Sequence, residues 1–144
     1  VGSAMCLRDR VGHGALCLRG GYIPEGQSWF YPATVLDQVN PNCRVWHEEV
    51  FGPVAMILRA DNPDHAVALA NDTPFGLGAC IYTADTANAW KYAEKIQAGS
   101  VFINRHTSSD LRLPFGGVKA SGYGRELSEF GLYEFVNVKT YWQK

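Results

Sequence analysis

The middle of this sequence alternates short apolar runs with amphipathic segments, and this alternation constrains the fold more than any other feature. Residues 54–58, 77–82 and 100–103 are apolar runs of strand length. Between them, residues 62–70 and 85–96 each begin with helix-start residues and continue with apolar positions at helical spacing. Parallel neighbours need a long return path. The pattern therefore predicts an α/β fold containing a βαβαβ unit of parallel strands.

Further elements are predicted on both sides of this unit. Residues 14–19 and 28–35 resemble two more strands, and a helix is predicted at 126–134. Residues 106–124 form a long polar, glycine-rich loop, and loops of that length are usually functional or disordered. In residues 136–142, apolar and polar side chains alternate as in a half-buried strand. Such a strand could pair with another chain.

Composition excludes several classes of partner. Thirteen Lys and Arg against fourteen Asp and Glu leave a net charge of −1, which argues against nucleic acid or an anionic membrane surface as a partner. No apolar run approaches the roughly 18 residues of a spanning helix, and the first residues lack the order of a signal peptide. Because Val1 stands where an initiator Met is expected, the chain is either processed or, as we expect, a piece of a longer protein. Cysteines without the spacing of a redox site, a zinc site or a dense secreted framework favour a cytoplasmic setting.

The four cysteines predict no metal centre. Cys6, Cys17, Cys43 and Cys80 lack the CxxC spacing of zinc and redox sites, and the histidines share no ligand spacing with them. We expect reduced, mostly buried thiols, with Cys80 in the core of a strand.

Two familiar functional motifs are resembled here but are not predicted to form. His106, Ser108, Ser109 and Asp110 supply all the residue types of a hydrolase triad, but close neighbours on one loop rarely converge on one atom. The glycine-rich run at 122–127 has Leu where the third glycine of a dinucleotide motif belongs.

Two other segments are better candidates for a site. In residues 47–54, Glu48 and Glu49 precede a predicted buried strand, where Glu49 could accept hydrogen bonds from sugar hydroxyls. The alternative is structural, with both carboxylates capping a turn and Phe51 packed in the core. In residues 113–126, the glycines permit close approach of the backbone to a ligand or to another segment.

Three stretches of the sequence resemble signatures of the aldehyde dehydrogenase family. They are EEVFGPV at 48–54, NDTPFGLGACIYT at 71–83 and LPFGGVKASGYGRE at 113–126, in the family's order and spacing. The resemblance extends from about Ala15 to the predicted C-terminal strand. Residues 98–142 are similar in particular to the bacterial succinate-semialdehyde dehydrogenase branch.

The resemblance implies a cofactor, NAD or NADP, and residues that contact it. It places Glu49 on the hydroxyls of the nicotinamide ribose and Phe51 beside that ribose. It also places Phe115 at the aldehyde entrance.

The polar loop before Phe115 would contact the far end of a small aldehyde substrate. For an aldehyde that carries a carboxylate, Ser109 is the first candidate, followed by Ser108 and Arg112. A serine hydroxyl can donate to a carboxylate, a bond worth roughly 1.5–3 kcal/mol.

The family's nucleophilic cysteine, general-base glutamate and nucleotide domain have no counterpart in this sequence. We therefore expect a C-terminal fragment without activity of its own, with residues 1–134 a partial catalytic domain and 135–144 a strand for homo-oligomer formation. The alternative is a non-catalytic remnant, an interaction module that associates with an intact dehydrogenase subunit.

Overall fold

The computed structural model describes residues 14–22, 24–26 and 29–144 of the chain. These residues fall into two compact units, one ending at Asn62 and the other beginning at Pro63. Each unit mixes strands with helices and contains a parallel strand pair. The mixed α/β class predicted from the sequence is therefore confirmed.

Three strands form the sheet of the first unit, in the order β1–β2–β3. Their bounds are Leu16–Arg19 for β1, Thr34–Asp37 for β2 and Val54–Met56 for β3. Strand β2 pairs antiparallel with β1 and parallel with β3. Because it has a neighbour on each side, β2 is the most buried of the three. The short helix α1, Arg44–His47, lies between β2 and β3 in sequence.

A small apolar core holds this unit together. Leu36 on β2 and Val45 on α1 are almost fully buried. Cys43, Val39 and a rim of partly buried side chains that includes Val50 pack with them. The core therefore fixes the segment that joins α1 to β3.

The strand predicted at 28–35 begins later than the pattern indicates. Residue 28 lies outside the described residues, and the strand observed is β2, from Thr34. Pro32 has no N–H to donate to a ladder. The first N–H of β2 that reaches the neighbouring segment is that of Thr34, which donates to the Pro53 carbonyl at 2.9 Å.

The second unit contains three helices and four strands among its described residues. The helices are α2, Pro63–Asn71, α3, Thr86–Ala93, and α4, Ser128–Tyr133. The strands are β4, Phe75–Gly76, β5, Gly78–Ile81, β6, Ser100–Ile103, and β7, Val118–Lys119. Strands β5 and β6 are parallel, and β4 and β7 are antiparallel. Asp85 caps α3 by accepting a hydrogen bond from the Asn88 N–H at 3.1 Å.

The predicted βαβαβ unit as a whole is not confirmed, although its last strand–helix–strand part is present. Strands β5 and β6 pair in register from Gly78 with Ser100, and α3 connects them. Strand β3 instead pairs with β2, and the two pairs belong to separate sheets. The helix predicted at 126–134 is confirmed as the shorter α4.

The strand predicted at 136–142 is not present in the structure. These residues form no regular element, and Val138, Tyr141 and Trp142 are each more than three-quarters exposed. A strand needs a hydrogen-bonded neighbour, and the described residues offer none to this segment. Its proposed role in oligomer formation stays a prediction.

The expectation of mostly buried thiols is wrong for the described cysteines. Cys43 is buried, whereas Cys17 and Cys80 are exposed, and Cys6 lies outside the described residues. Cys80 is exposed because alternation along β5 places it with Gly78 on the more open face. Within the described residues, no helix is long and apolar enough to cross a membrane.

Candidate functional site

The segment between α1 and β3 presents Glu49 and Phe51 to solvent. Val50 packs against the core of the first unit, so the residues on either side of it point away from that core. Glu49 is exposed, and Phe51 is 90% exposed. The structure therefore brings the two predicted cofactor residues together on one exposed edge. It also excludes the alternative in which Phe51 is a core residue of this chain.

The two adjacent carboxylates of this segment have different surroundings. Glu48 accepts hydrogen bonds from the Arg44 guanidinium at 2.8 and 3.1 Å. Among the described residues, the Glu49 carboxylate has no hydrogen bond or ion pair. The i,i+4 spacing of Arg44 and Glu48 on a helix could have indicated this pairing from the sequence. Glu49 is thus the carboxylate available to a ligand.

Phe51 has a backbone conformation that side chains rarely adopt, with φ of 40°. The chain is anchored on both sides of it. The Glu48 N–H donates to the Arg44 carbonyl at 3.1 Å before it, and the Pro53 carbonyl accepts from Thr34 at 2.9 Å after it. A strained residue persists where its surroundings determine its conformation.

The glycine-rich segment at 113–126 is a closed loop with Phe115 at its base. The backbones of Phe115 and Glu126 exchange two hydrogen bonds, each 2.8 Å long. Inside the loop, the Arg125 guanidinium donates to the carbonyls of Gly117 at 2.9 Å and Gly124 at 2.6 Å. These bonds fix the Phe115 backbone and leave its side chain half-buried.

This loop is also fastened to the segment at 71–76. Lys119 Nζ donates to the carbonyls of Asn71 at 2.8 Å and Thr73 at 3.1 Å, and Ser121 Oγ accepts from the Gly76 N–H at 2.9 Å. The residue types of Lys119 and Ser121 did not by themselves predict this role. No periodicity or spacing relates positions 45 to 48 residues apart, so this contact becomes visible in the tertiary structure.

The polar loop before Phe115 contains the three predicted substrate residues in different environments. Ser109 is exposed. The Ser108 hydroxyl oxygen is buried and has no hydrogen-bond partner among the described residues. The Arg112 guanidinium donates to the Asp110 carboxylate at 2.9 and 2.7 Å. Ser109 is therefore an exposed hydroxyl donor, whereas the exposed Arg112 already donates to Asp110.

Asp110 offsets the charge of Arg112. Hydrogen bonds from the guanidinium, and then from the Arg112 N–H, hold the pKa of the Asp110 carboxyl far below its usual value. The same carboxylate raises the pKa of Arg112. A second carboxylate at Arg112 would have to share the guanidinium with Asp110. Asp110, the acidic residue of the triad considered from the sequence, accepts its hydrogen bonds from the Arg112 N–H and guanidinium.

An apolar cavity of about 230 Å³ lies between α2, β5 and α3, with Cys80 and Tyr92 in its wall. It contains none of the predicted site residues. No group of three His, Cys, Asp or Glu side chains in the described part of the chain could hold a metal ion.

Comparison with known proteins identifies the family. A model of the aldehyde dehydrogenase family matches residues 4–141. The chain belongs to the aldehyde dehydrogenase family. An aldehyde dehydrogenase of Paenarthrobacter nicotinovorans is 50% identical to this chain over 136 residues, and that alignment covers 94% of the chain and 30% of the relative.

Two further relatives are named as succinate-semialdehyde dehydrogenases. The NAD(P)+ enzyme Sad of Escherichia coli is 48% identical, with coverage of 95% of this chain and 31% of the enzyme. The crystal structure of the succinic semialdehyde dehydrogenase of Streptococcus pyogenes in complex with NADP+ superposes with a TM-score of 0.88 at 36% identity, covering 94% of this chain and 30% of that one. The aldehyde dehydrogenase chain described here therefore spans about 30% of the length of its relatives.

Proposed function

We propose that this chain is the C-terminal third of an NAD(P)-dependent aldehyde dehydrogenase that oxidises an aldehyde carrying a carboxylate, with succinate semialdehyde as the leading candidate. Family membership supports the reaction class. The names of the relatives at about half identity support the substrate. We also expect the enzyme to act in the cytoplasm, where thiols such as those of Cys17 and Cys80 stay reduced.

The observation that carries this proposal is the exposed edge formed by Glu49 and Phe51. A carboxylate without a partner among the described residues can accept hydrogen bonds from both hydroxyls of a ribose. The aromatic ring beside it offers a flat apolar surface against which a sugar can pack. Because the segment is anchored at Glu48 and at Pro53, the backbone that carries Glu49 is held in place before the cofactor arrives.

The substrate side of the proposal lies in the second unit. Phe115 would line the aldehyde entrance, and its closed loop fixes the backbone that carries the ring. Ser109 would donate to the substrate carboxylate, with Ser108 and Arg112 as further contacts. Asp110 moderates the positive charge of Arg112, so the neutral hydroxyl of Ser109 has the larger share of recognition.

In the reaction that the family resemblance implies, a cysteine thiolate attacks the aldehyde carbon, hydride leaves that carbon, and water hydrolyses the resulting thioester. NAD(P)+, when bound, accepts the hydride. The residues of this chain bind and orient: Glu49 and Phe51 hold the ribose, and Phe115 and Ser109 hold the aldehyde. We propose that the 144 residues alone are inactive, because the residues that match the family supply none of its nucleophile or general base.

A second candidate function is association with an intact dehydrogenase subunit. The exposed apolar side chains of the C-terminal segment, among them Val138 and Trp142, favour it. In that case the chain would bind a subunit and contribute no turnover.

Absorbance of NAD(P)H at 340 nm tests the proposal. The purified chain should produce none with succinate semialdehyde or with uncharged aldehydes. The product of the full reading frame that contains it should produce NAD(P)H, with highest kcat/KM for the carboxylate-bearing substrate. Turnover by the purified chain, abolished by replacing one of its cysteines, would refute the proposed inactivity. A full reading frame without dehydrogenase activity would favour the interaction module.

A further inference from the structure

Thr34, at the start of β2, makes more connections than its place in a strand requires. Its side chain is 1% exposed. The hydroxyl donates to the Pro32 carbonyl at 2.9 Å and accepts from the Gly21 N–H at 3.0 Å. A buried hydroxyl that is satisfied in both directions is held in one orientation.

The backbone of the same residue reaches the proposed cofactor edge. The Thr34 N–H donates to the Pro53 carbonyl at 2.9 Å, and Thr34 lies opposite Val54 in the parallel ladder. Pro53 is two residues beyond Phe51, whose φ of 40° needs support from its surroundings. The bond from Thr34 is the first fixed point after Phe51 that comes from another strand.

The turn at Gly20 and Gly21 lies in close contact with Thr34. A Cβ built on Gly20 would lie 2.4 Å from the Ala33 carbonyl oxygen and 2.5 Å from Thr34 Oγ1. With φ of +71°, Gly20 also has a conformation that suits glycine. The turn can therefore approach closely enough for the Gly21 N–H to reach the hydroxyl.

We propose that Thr34 is a positioning residue for cofactor binding, because its hydroxyl fixes β2 between the Gly21 turn and Pro32 while its N–H holds the Pro53 end of the segment that carries Glu49 and Phe51. This inference rests on the proposed function. Replacement of the hydroxyl by a methyl group leaves the part-buried Gly21 N–H and Pro32 carbonyl without this partner. Strand β2 then shifts, and the Glu49 carboxylate moves away from the ribose.

Three variants test this role in the full-length enzyme that the proposed function requires. Thr34→Val keeps the shape and removes the hydroxyl. Thr34→Ser keeps the hydroxyl and removes the methyl group. Val39→Ala removes apolar volume from the same core, at a residue with 7% exposure, and serves as the control for lost stability.

We expect Thr34→Val to raise the KM for NAD(P)+ about tenfold and to leave the KM for the aldehyde unchanged. A tenfold change is the lower end of the effect expected when the hydrogen bond between Glu49 and the ribose is lost completely. Thr34→Ser should restore the cofactor KM to within about twofold of the wild type. Val39→Ala should lower the melting temperature without changing the cofactor KM. In the 144-residue chain, hydrogen exchange at the Gly21 amide should accelerate in Thr34→Val but not in Thr34→Ser.

The outcomes separate this inference from the proposed function. An active wild type whose cofactor KM is the same in all three variants would overturn the role of Thr34. If Thr34→Val and Val39→Ala change the cofactor KM equally, the cause is a general loss of stability, and this outcome also overturns the inference. A full-length wild type without NAD(P)-dependent activity would refute the proposed function instead. Unchanged exchange at Gly21 in Thr34→Val would then still reject the hydroxyl as the connection.

Discussion

Gly99, at the entry to β6, is the position where a single methyl group should do the most damage to the substrate side of this protein. A Cβ built on Gly99 would lie 1.6 Å from the Gly116 carbonyl oxygen, 2.7 Å from its carbonyl carbon and 3.1 Å from Gly117 Cα. All three atoms belong to the backbone, so no side chain can rotate away. The contact has to open from 1.6 Å to at least 3.0 Å.

Two connections resist that opening. The Gly99 N–H donates to the Gly76 carbonyl at 3.0 Å on one side. On the other, the loop that starts at Gly116 is closed by the Phe115–Glu126 bonds. Overpacking costs about 1–3 kcal/mol, and an all-backbone contact belongs at the upper end of that range. Gly99→Ala should therefore lower the free energy of unfolding by about 3 kcal/mol.

Thermal unfolding followed by circular dichroism measures this change. For a unit of this size, about 3 kcal/mol corresponds to a fall in melting temperature of roughly 12–24 °C. Gly122→Ala is the control, because its Cβ would meet nothing within 4 Å and its cost comes from a φ of +114° alone. Hydrogen exchange at Phe115 and Glu126 should accelerate in Gly99→Ala and not in Gly122→Ala. The reasoning would be refuted if the free energy of unfolding of Gly99→Ala lay within about 1 kcal/mol of the wild-type value and the Phe115 and Glu126 amides stayed protected from exchange.

Three further predictions concern binding and assembly. In the full-length enzyme, Glu49→Ala should raise the KM for the cofactor roughly 10- to 150-fold. The control Glu48→Ala breaks an exposed pair with Arg44 and should change that KM less than about twofold. Equal effects of the two variants would contradict the role of Glu49 in cofactor binding. Ser109→Ala should reduce kcat/KM more for a carboxylate-bearing aldehyde than for an uncharged aldehyde of similar length, as measured by steady-state kinetics. Equal reductions for the two aldehydes would argue against succinate semialdehyde as the substrate. Residues 135–144 should associate with another subunit, so light scattering should detect an oligomer that Val138→Lys weakens. A monomer at high protein concentration would exclude this association.

Local chemistry determined much of the second unit. Strands β5 and β6 and helix α3 follow from apolar period, from the Asp85 cap and from turn residues, all within about 25 residues. The family was also readable from the sequence, because its signatures are contiguous. The Arg44–Glu48 pair follows a helical spacing and could have been predicted too.

In the first unit, the start of a strand and the exposure of a side chain were less predictable from the sequence. The start of β2 depends on Pro53, a residue 19 positions further along the chain, and the pattern around Pro32 contains no information about that partner. The exposure of Phe51 is another case. The apolar run at 54–58 predicted a buried strand with Phe51 packed beside it, but Met56 on β3 and Phe51 are exposed, and Val50 packs against the core instead.

The sequence by itself determined the residue types at the candidate site, the family and the helix–strand alternation, because these are properties of neighbouring residues. The tertiary structure decided which carboxylate pairs with Arg44, which residues hold Phe115 and why Gly99 must lack a side chain. Each of these depends on segments that are distant in sequence and meet in space, such as Lys119 with Asn71 and Gly116 with Gly99. Periodicity and capping report on adjacent positions, and the distances between backbones are fixed when the whole unit packs.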